Sequence, residues 1–259
     1  MKFSIVTCTR NSIDWIDESI GSVDAQQGVE IERVFVDGSS TDGTLERLAS
    51  FAQGRADVRL LRDVGGGIAR AMNAGVEAAS GDVIAHLHSD DVYLGSDALS
   101  KVAAVFAAKP DTQWVVGRCA ALLDGRIEEN RFETKPYSWR ELVRANIVPH
   151  PSTFIRRPFF LASGGFSTEL RYAMDYDLWL RLARESAPVQ IPDYLAAFRF
   201  HDDSASTANP WPSHFEAFSL HWRYSAEHPV ERLEHLARLA VRSVRLLRAI
   251  RRGEGPYGA

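Results

Sequence analysis

The sequence predicts an α/β protein built on a mostly parallel, doubly wound sheet with a C-terminal helical extension. Three observations carry that prediction. Short apolar runs alternate with helical periodicity through residues 1–95, and each run ends in a turn rich in Asp, Gly, Ser or Thr. Three strand-helix pairs in succession favour right-handed crossovers between parallel strands. From Asn209 onward the chain becomes helix-like and arginine-rich.

Phe3 to Thr9 reads as the first strand, followed by a polar turn and a helix over Trp15 to Gln26. Ile31 to Val36 is the second strand. It ends in Asp37-Gly38-Ser39-Ser40-Thr41-Asp42-Gly43-Thr44, a run of turn formers and helix N-caps that launches a helix to Gln53. Val58 to Leu61 is a third strand, and Arg62-Asp63 with Gly65-Gly66-Gly67 leads into helical Ile68 to Ala79. Ser80-Gly81-Asp82 then turns the chain into Val83-Ile84-Ala85-His86-Leu87, too short for a helix. This strand delivers His88-Ser89-Asp90-Asp91 to the carboxyl edge of the sheet, where ligands of open α/β sheets bind.

Beyond Leu94 a helix is expected over Ser96 to Ala107, then a long strand or strand pair over Trp114 to Leu123 with a hairpin turn at Gly125. Ser138 to Ala145 reads as a helix and Pro149 to Ile155 as extended chain. Met174 to Leu182 reads as an amphipathic helix with acids in its first turn, and Asn209-Pro210-Trp211-Pro212 as a break. The expected organisation is one domain over residues 1–208 and a helical extension over 209–259.

The 259 residues, 45% of them hydrophobic, can bury one large core without disulfides. Cys8 and Cys119 lie apart in apolar segments and are expected to be structural thiols of a reducing compartment. The chain opens without a signal-peptide pattern and has no run of ~18 apolar residues, so a cytoplasmic protein is expected. A net charge of −4 leaves no electrostatic footprint for nucleic acid, and no such partner is expected.

Asp90 and Asp91 are hard oxygen ligands suited to Mn²⁺ or Mg²⁺, which hold a diphosphate through one or two carboxylates; turn or helix-cap acids are the alternative. Asp37 can cap its own turn or accept from a base N–H or ribose hydroxyl. Asp175 and Asp177 can complement a helix dipole or supply a general base. Thr9-Arg10-Asn11-Ser12 stands where a dinucleotide fold carries Gly-x-Gly-x-x-Gly, and no P-loop motif is present.

On these residues the chain resembles the glycosyltransferase family 2 enzymes over roughly Lys2 to Ser206. Four segments agree in order and spacing: the first strand through Asn11, the Asp37 to Asp42 turn, the His88 to Asp91 acids and the Met174 to Trp179 helix. The resemblance implies a GT-A fold and inversion at the anomeric centre of a nucleotide-sugar. It implies that residues 1–95 form the nucleotide-sugar-binding half and 96–208 the acceptor and catalytic half. Thr7, Thr9 and Asp37 would line the base and ribose pocket. Asp63, Arg70, Asn73, Ser89 and Asp90 would face the rest of the donor. Asp90 and Asp91 would hold Mn²⁺ or Mg²⁺, with His88 in place of the family's first acid and His201 as a further metal or diphosphate contact. Asp175 would be the base, with Met174 where the family carries Glu, and His150 and Asp177 would stand on the acceptor side. The Gln-x-x-Arg-Trp motif of processive members is absent, which implies a single sugar addition.

Val230 to Arg252 reads as a basic amphipathic helix, with Leu233, Leu236, Ala240, Val244 and Leu247 at helical spacing and arginines interleaved. It either packs on the domain or on a second subunit of a homodimer, or docks on an anionic membrane at its cytoplasmic face. The expected protein is thus a metal-dependent inverting glycosyltransferase of bacterial surface polysaccharide or glycolipid synthesis. It would move one sugar from a UDP-sugar, or a GDP- or dTDP-sugar, to a hydroxyl of a saccharide or lipid-linked acceptor. Two rivals remain: a sugar nucleotidyltransferase, whose glycine-rich basic loop is not seen at Thr9-Arg10-Asn11, and a non-catalytic nucleotide-sugar-binding or scaffold protein, suggested by His88 and Met174.

Overall fold

The computed structural model describes residues 1–131, 135–200, 210–226 and 229–252. The first half follows the alternation in the sequence: β1 (Lys2–Thr9), α1 (Ile16–Asp24), β2 (Glu30–Asp37), α2 (Thr44–Ala52), β3 (Val58–Leu61), α3 (Ile68–Ala78) and β4 (Val83–His86). β1 pairs in parallel with both β2 and β4, and β2 with β3, so the first four strands form the doubly wound portion. Thr9 lies opposite Asp37 and Val6 opposite His86. That register brings the turns after β1, β2 and β4 to one carboxyl edge.

The second half comprises β5 (Val92–Tyr93), α4 (Ala98–Ala108), β6 (Trp114–Leu123), β7 (Arg126–Glu128), α5 (Trp139–Arg144), β8 (Thr153–Arg156), α6 (Arg157–Ala162), α7 (Met174–Glu185) and β9 (Val189–Arg199). The sheet runs β3-β2-β1-β4-β8-β6-β9-β5, with β7 paired to β6. Here the pairing is mixed: β8 is antiparallel to β4 and β6, β5 is antiparallel to β9, and β6 runs parallel to β9. Trp114 to Leu123 is one strand, and its hairpin turns through Asp124 and Gly125, both at positive φ.

Pro149 to Ile155 is not extended throughout. His150–Ser152 forms a 3₁₀ turn before β8, because Pro149 and Pro151 fix φ and the Pro149 carbonyl accepts from Ser152 N at 3.3 Å and Thr153 Oγ1 at 2.7 Å.

The core lies on both faces of the sheet. On one, α3 and α7 cover β1, β2 and β6, with Trp114 and Trp179 stacked at 5.9 Å between ring centroids. On the other, α4 packs over Phe3, Ile5, Val115 and Phe154. Gly75 lets α3 lie close on β1: a Cβ there would sit 2.4 Å from Val6 Cγ1. Cys8 and Cys119 are buried free thiols, and burial first raises both to about 12.

Two further helices follow, α8 (Pro210–Tyr224) and α9 (Pro229–Arg252). α8 packs on α5 and α7 and buries Leu220 in the main core. α9 meets α8 where His235 stacks on His221 at 4.7 Å, and its Glu234 pairs with Arg144 at 2.9 Å. Leu233, Leu236, Val241, Val244 and Leu247 are left exposed. No described helix is long and apolar enough to cross a membrane.

Candidate active site

The acid loop hangs from the end of β4. Asp91 is fully buried, and its Oδ1 accepts the backbone N–H of Arg199 at 3.0 Å while Oδ2 has no partner. Burial first, and then the negative charge of Asp90, raise the Asp91 carboxyl well above its ordinary value. Asp90 is half-buried, and its carbonyl accepts from Arg199 Nε at 2.9 Å. Ser89 donates to Ser12 Oγ at 2.8 Å, tying the loop to the turn after β1.

Two adjacent carboxylates, one with an unpartnered buried oxygen and a charge that burial disfavours, form a donor set that a divalent cation would relieve. The cation types that hold diphosphates need only one or two protein carboxylates. The residues present therefore fit such an ion. Among the described residues no group of three His, Cys, Asp or Glu side chains gathers as a metal site. His201 lies outside the described residues.

The residues expected on the donor side divide into three groups. Thr9 Oγ1 donates to Asp37 Oδ2 at 3.0 Å, and Asp37 also accepts Ser40 N and Ser40 Oγ at 3.0 and 2.5 Å. Asp37 thus caps its own turn, fully buried, beside Thr7 and Thr9 on β1. Asp63, at φ 56°, is exposed and accepts from Ser39 Oγ at 3.0 Å, while Arg70 is exposed on the first turn of α3. Asn73 Nδ2 donates to the Phe166 carbonyl at 2.8 Å and its Oδ1 accepts Phe166 N at 2.9 Å, so the amide forms a bracket on that backbone.

A column of three imidazoles links the acid loop to the second half. His88 contacts His150 at 5.0 Å between centroids, and His86 contacts His150 at 5.7 Å. Phe166 stacks on His150 at an interplanar angle of 9°. Burial lowers all three histidines, His86 to about 3, so the column is uncharged at neutral pH. His150 borders an open cavity of about 490 Å³ that is also lined by Asp175, Asn146, Arg118, Cys119 and Phe198. Asp91 lies close enough to Cys119, which lines this cavity, to add to its raised pKa.

Asp175 opens α7. Its Oδ1 accepts the Tyr176 N–H at 2.6 Å and its Oδ2 the Asn146 Nδ2 at 3.1 Å. Burial nevertheless dominates and raises its carboxyl to about 6, in the range of a general base working near neutrality. Asp177 does not share this setting. It is buried and ion-paired to Arg181 at 2.8 Å, while Arg181 donates to the Ser163 and Gly165 carbonyls at 2.6 Å. Asp177 therefore braces α7.

Three contributors went unread in the sequence. Arg199 ends β9, donates to the Asp90 carbonyl and the Glu18 carboxylate, and lies 4.5 Å from the Trp15 ring centroid. Asn146 orients Asp175. Glu216 on α8 accepts the N–H groups of Arg171, Tyr172 and Ala173 at 2.6–3.1 Å, fixing the approach to Asp175. Only Arg199 carried a signal, as a lone cation closing an apolar run.

A carboxylate of raised pKa lining a cavity, with an acid loop at the carboxyl edge of a doubly wound sheet, is compatible with a sugar-transferring enzyme. The "Glycosyl transferase family 2" profile matches residues 4–159, and the chain belongs to that family. An uncharacterized glycosyltransferase of Mycobacterium tuberculosis is 30% identical over 200 residues, covering 75% of this chain and 74% of the relative. Among solved structures, Staphylococcus aureus TarS 1–349 in complex with UDP-GlcNAc superposes with TM-score 0.71 and 20% identity, over 91% of this chain and 69% of that one. The mannosyltransferase PcManGT of Pyrobaculum calidifontis, in complex with GDP-Man and Mn²⁺, gives TM-score 0.65 and 18% identity, over 93% and 75%. These likenesses establish the GT-A-like fold, and the chain is a glycosyltransferase.

Proposed function

We propose that this glycosyltransferase is divalent-cation-dependent and inverting, and moves one sugar from a nucleotide-diphosphate donor to an acceptor hydroxyl. The observation that carries the reading is Asp175, a carboxylate with a raised pKa in a cavity joined to the Asp90 loop through the His88–His150 contact. Asp175 takes the acceptor proton as the oxygen attacks, and one direct displacement inverts the anomeric centre without an enzyme nucleophile. Asp90 and Asp91 hold the cation, which when bound offsets negative charge on the departing diphosphate. Asp63 before α3 and Arg70 on its first turn face the donor, and Thr7, Thr9 and Asp37 shape the base pocket.

A UDP-sugar is the first donor to test, with GDP- and dTDP-sugars next; the neighbours solved with UDP-GlcNAc and with GDP-Man and Mn²⁺ support a nucleotide-sugar and a divalent ion. Binding of UDP, GDP and dTDP by calorimetry, with and without Mn²⁺, tests this on wild type and on Asp90→Ala/Asp91→Ala. Cation-dependent binding of one nucleotide, lost in the double variant, upholds the reading. Binding of none overturns it.

The exposed apolar stripe of α9, with arginines interleaved in its sequence, supports peripheral attachment at the cytoplasmic membrane face and a role in surface polysaccharide or glycolipid synthesis. A homodimer through the same stripe is the second reading. Sedimentation with anionic liposomes at low salt separates them: pelleting supports the membrane, and a concentration-dependent dimer without pelleting supports self-association.

A further inference from the structure

The cavity beside Asp175 is walled by Val116, Ile147, Val148, Pro149, Pro151 and Phe198. A sugar acceptor needs the opposite kind of wall, with side-chain amides and guanidinium groups available to replace the water lost by each hydroxyl. Among the described residues, several polar side chains of this wall already have partners. Asn146 gives Nδ2 to Asp175 and accepts Val148 N on Oδ1 at 3.3 Å. Gln190 donates to the Lys135 carbonyl at 3.2 Å and accepts Tyr137 N at 2.6 Å. The Arg118 guanidinium lies 4.0 Å from the Tyr194 ring centroid and donates to Asn130 at 2.8 Å, and Arg131 pairs with Glu128 at 3.7 Å. The His150 ring stacks on Phe166 and lies tilted against His88, and its Nε2 has no hydrogen-bond partner.

Asp175 is the carboxylate of this wall. We infer that the acceptor is a single hydroxyl carried on an apolar body, an aromatic ring or hydrocarbon chain, which lies against Ile147, Val148 and Phe198 and points its oxygen at Asp175. This rests on the reading of Asp175 as base and goes beyond it by naming the acceptor's chemistry. A polyol placed in the same cavity would lay hydroxyls against apolar side chains; a phenol or alkanol would place its one hydroxyl on the base that needs it.

The inference is tested by binding, so it does not depend on knowing the donor sugar. Saturation-transfer NMR titrations would compare 4-butylphenol with methyl α-glucopyranoside and methyl β-galactopyranoside on the full chain. The same titrations on Ile147→Asn and Phe198→Asn, at separate positions in the wall, locate the site, and thermal unfolding with nucleotide binding reports that each variant is folded. The expected result is binding of 4-butylphenol, weakened at least tenfold in whichever variants fold, with no binding of the glycosides and unchanged nucleotide affinity. Glycoside binding in preference to the phenol, no binding of either, or phenol binding insensitive to both substitutions would overturn the inference. Nucleotide binding in the same samples keeps the two readings apart: its absence counts against the donor site, and its presence without phenol binding counts against the apolar acceptor alone.

Discussion

Asn146 donates its Nδ2 to Asp175 Oδ2 at 3.1 Å, joining the loop after α5 to the first turn of α7. The bond favours the charged carboxylate, and burial opposes it more strongly. The balance leaves Asp175 a base of intermediate strength whose ionisation depends on a neighbour.

Asp175→Asn keeps the shape but removes the proton acceptor and leaves one oxygen where two accepted, from Tyr176 N and Asn146 Nδ2. Transfer should fall by about 10²–10⁴-fold while nucleotide affinity stays within twofold. Nucleotide-release assays beside calorimetry check this, and a parallel loss of binding would remove Asp175 from the base role.

The pH profile follows from the sign of the shift. A base raised from 3.8 to about 6 is ionised above that value, so kcat/KM should rise with pH through about 6 and level off. Asn146→Ala deletes a bond that lowers the pKa, and its acid limb should move to higher pH. A limb that stays in place would show that another group titrates.

Arg199 is buried and bound on three sides, so Arg199→Ala leaves the Asp90 carbonyl and Glu18 without their donor and opens space against Trp15. A loss of about 2–4 kcal/mol in unfolding free energy is expected. Cation-dependent nucleotide binding should weaken with it, because the loop carrying Asp90 and Asp91 loses its anchor. Arg199→Lys, lacking the fork, should recover little of either. Urea unfolding and calorimetry on both variants decide.

Asn73→Ala separates packing from ligand contact. With both amide ends on the Phe166 backbone, its removal should cost about 1–3 kcal/mol of stability and leave nucleotide affinity unchanged. A tenfold loss of nucleotide affinity at full stability would return Asn73 to the donor site.

The first half of the fold was readable because its signals are local. Apolar runs, the Asp37 to Thr44 turn and the Gly65 to Gly67 hinge each specify an element by neighbours in sequence. The strand Val189–Arg199 was not readable: its pairing with β6 is long-range, and Pro192, Asp193 and Tyr194 interrupt its pattern. The same divide holds in the site. Asp90, Asp91 and Asp175 announced themselves as acids at element ends. The different fates of Asp175 and Asp177 depend on Asn146 and Arg181, and the spent amide of Asn73 on a loop 93 residues away. Residue type names a candidate, and only the partner that topology brings decides its task.

Glu216 carries a consequence for how this chain divides. Its carboxylate, borne by α8, gathers three consecutive backbone N–H groups just ahead of Asp175, and Leu220 one turn later fills the main core. A shortened chain ending near residue 209 would strand those amides and hollow the core beneath α7. An exchange of C-terminal segments between relatives is therefore expected to keep a working centre only if the junction falls after Tyr224.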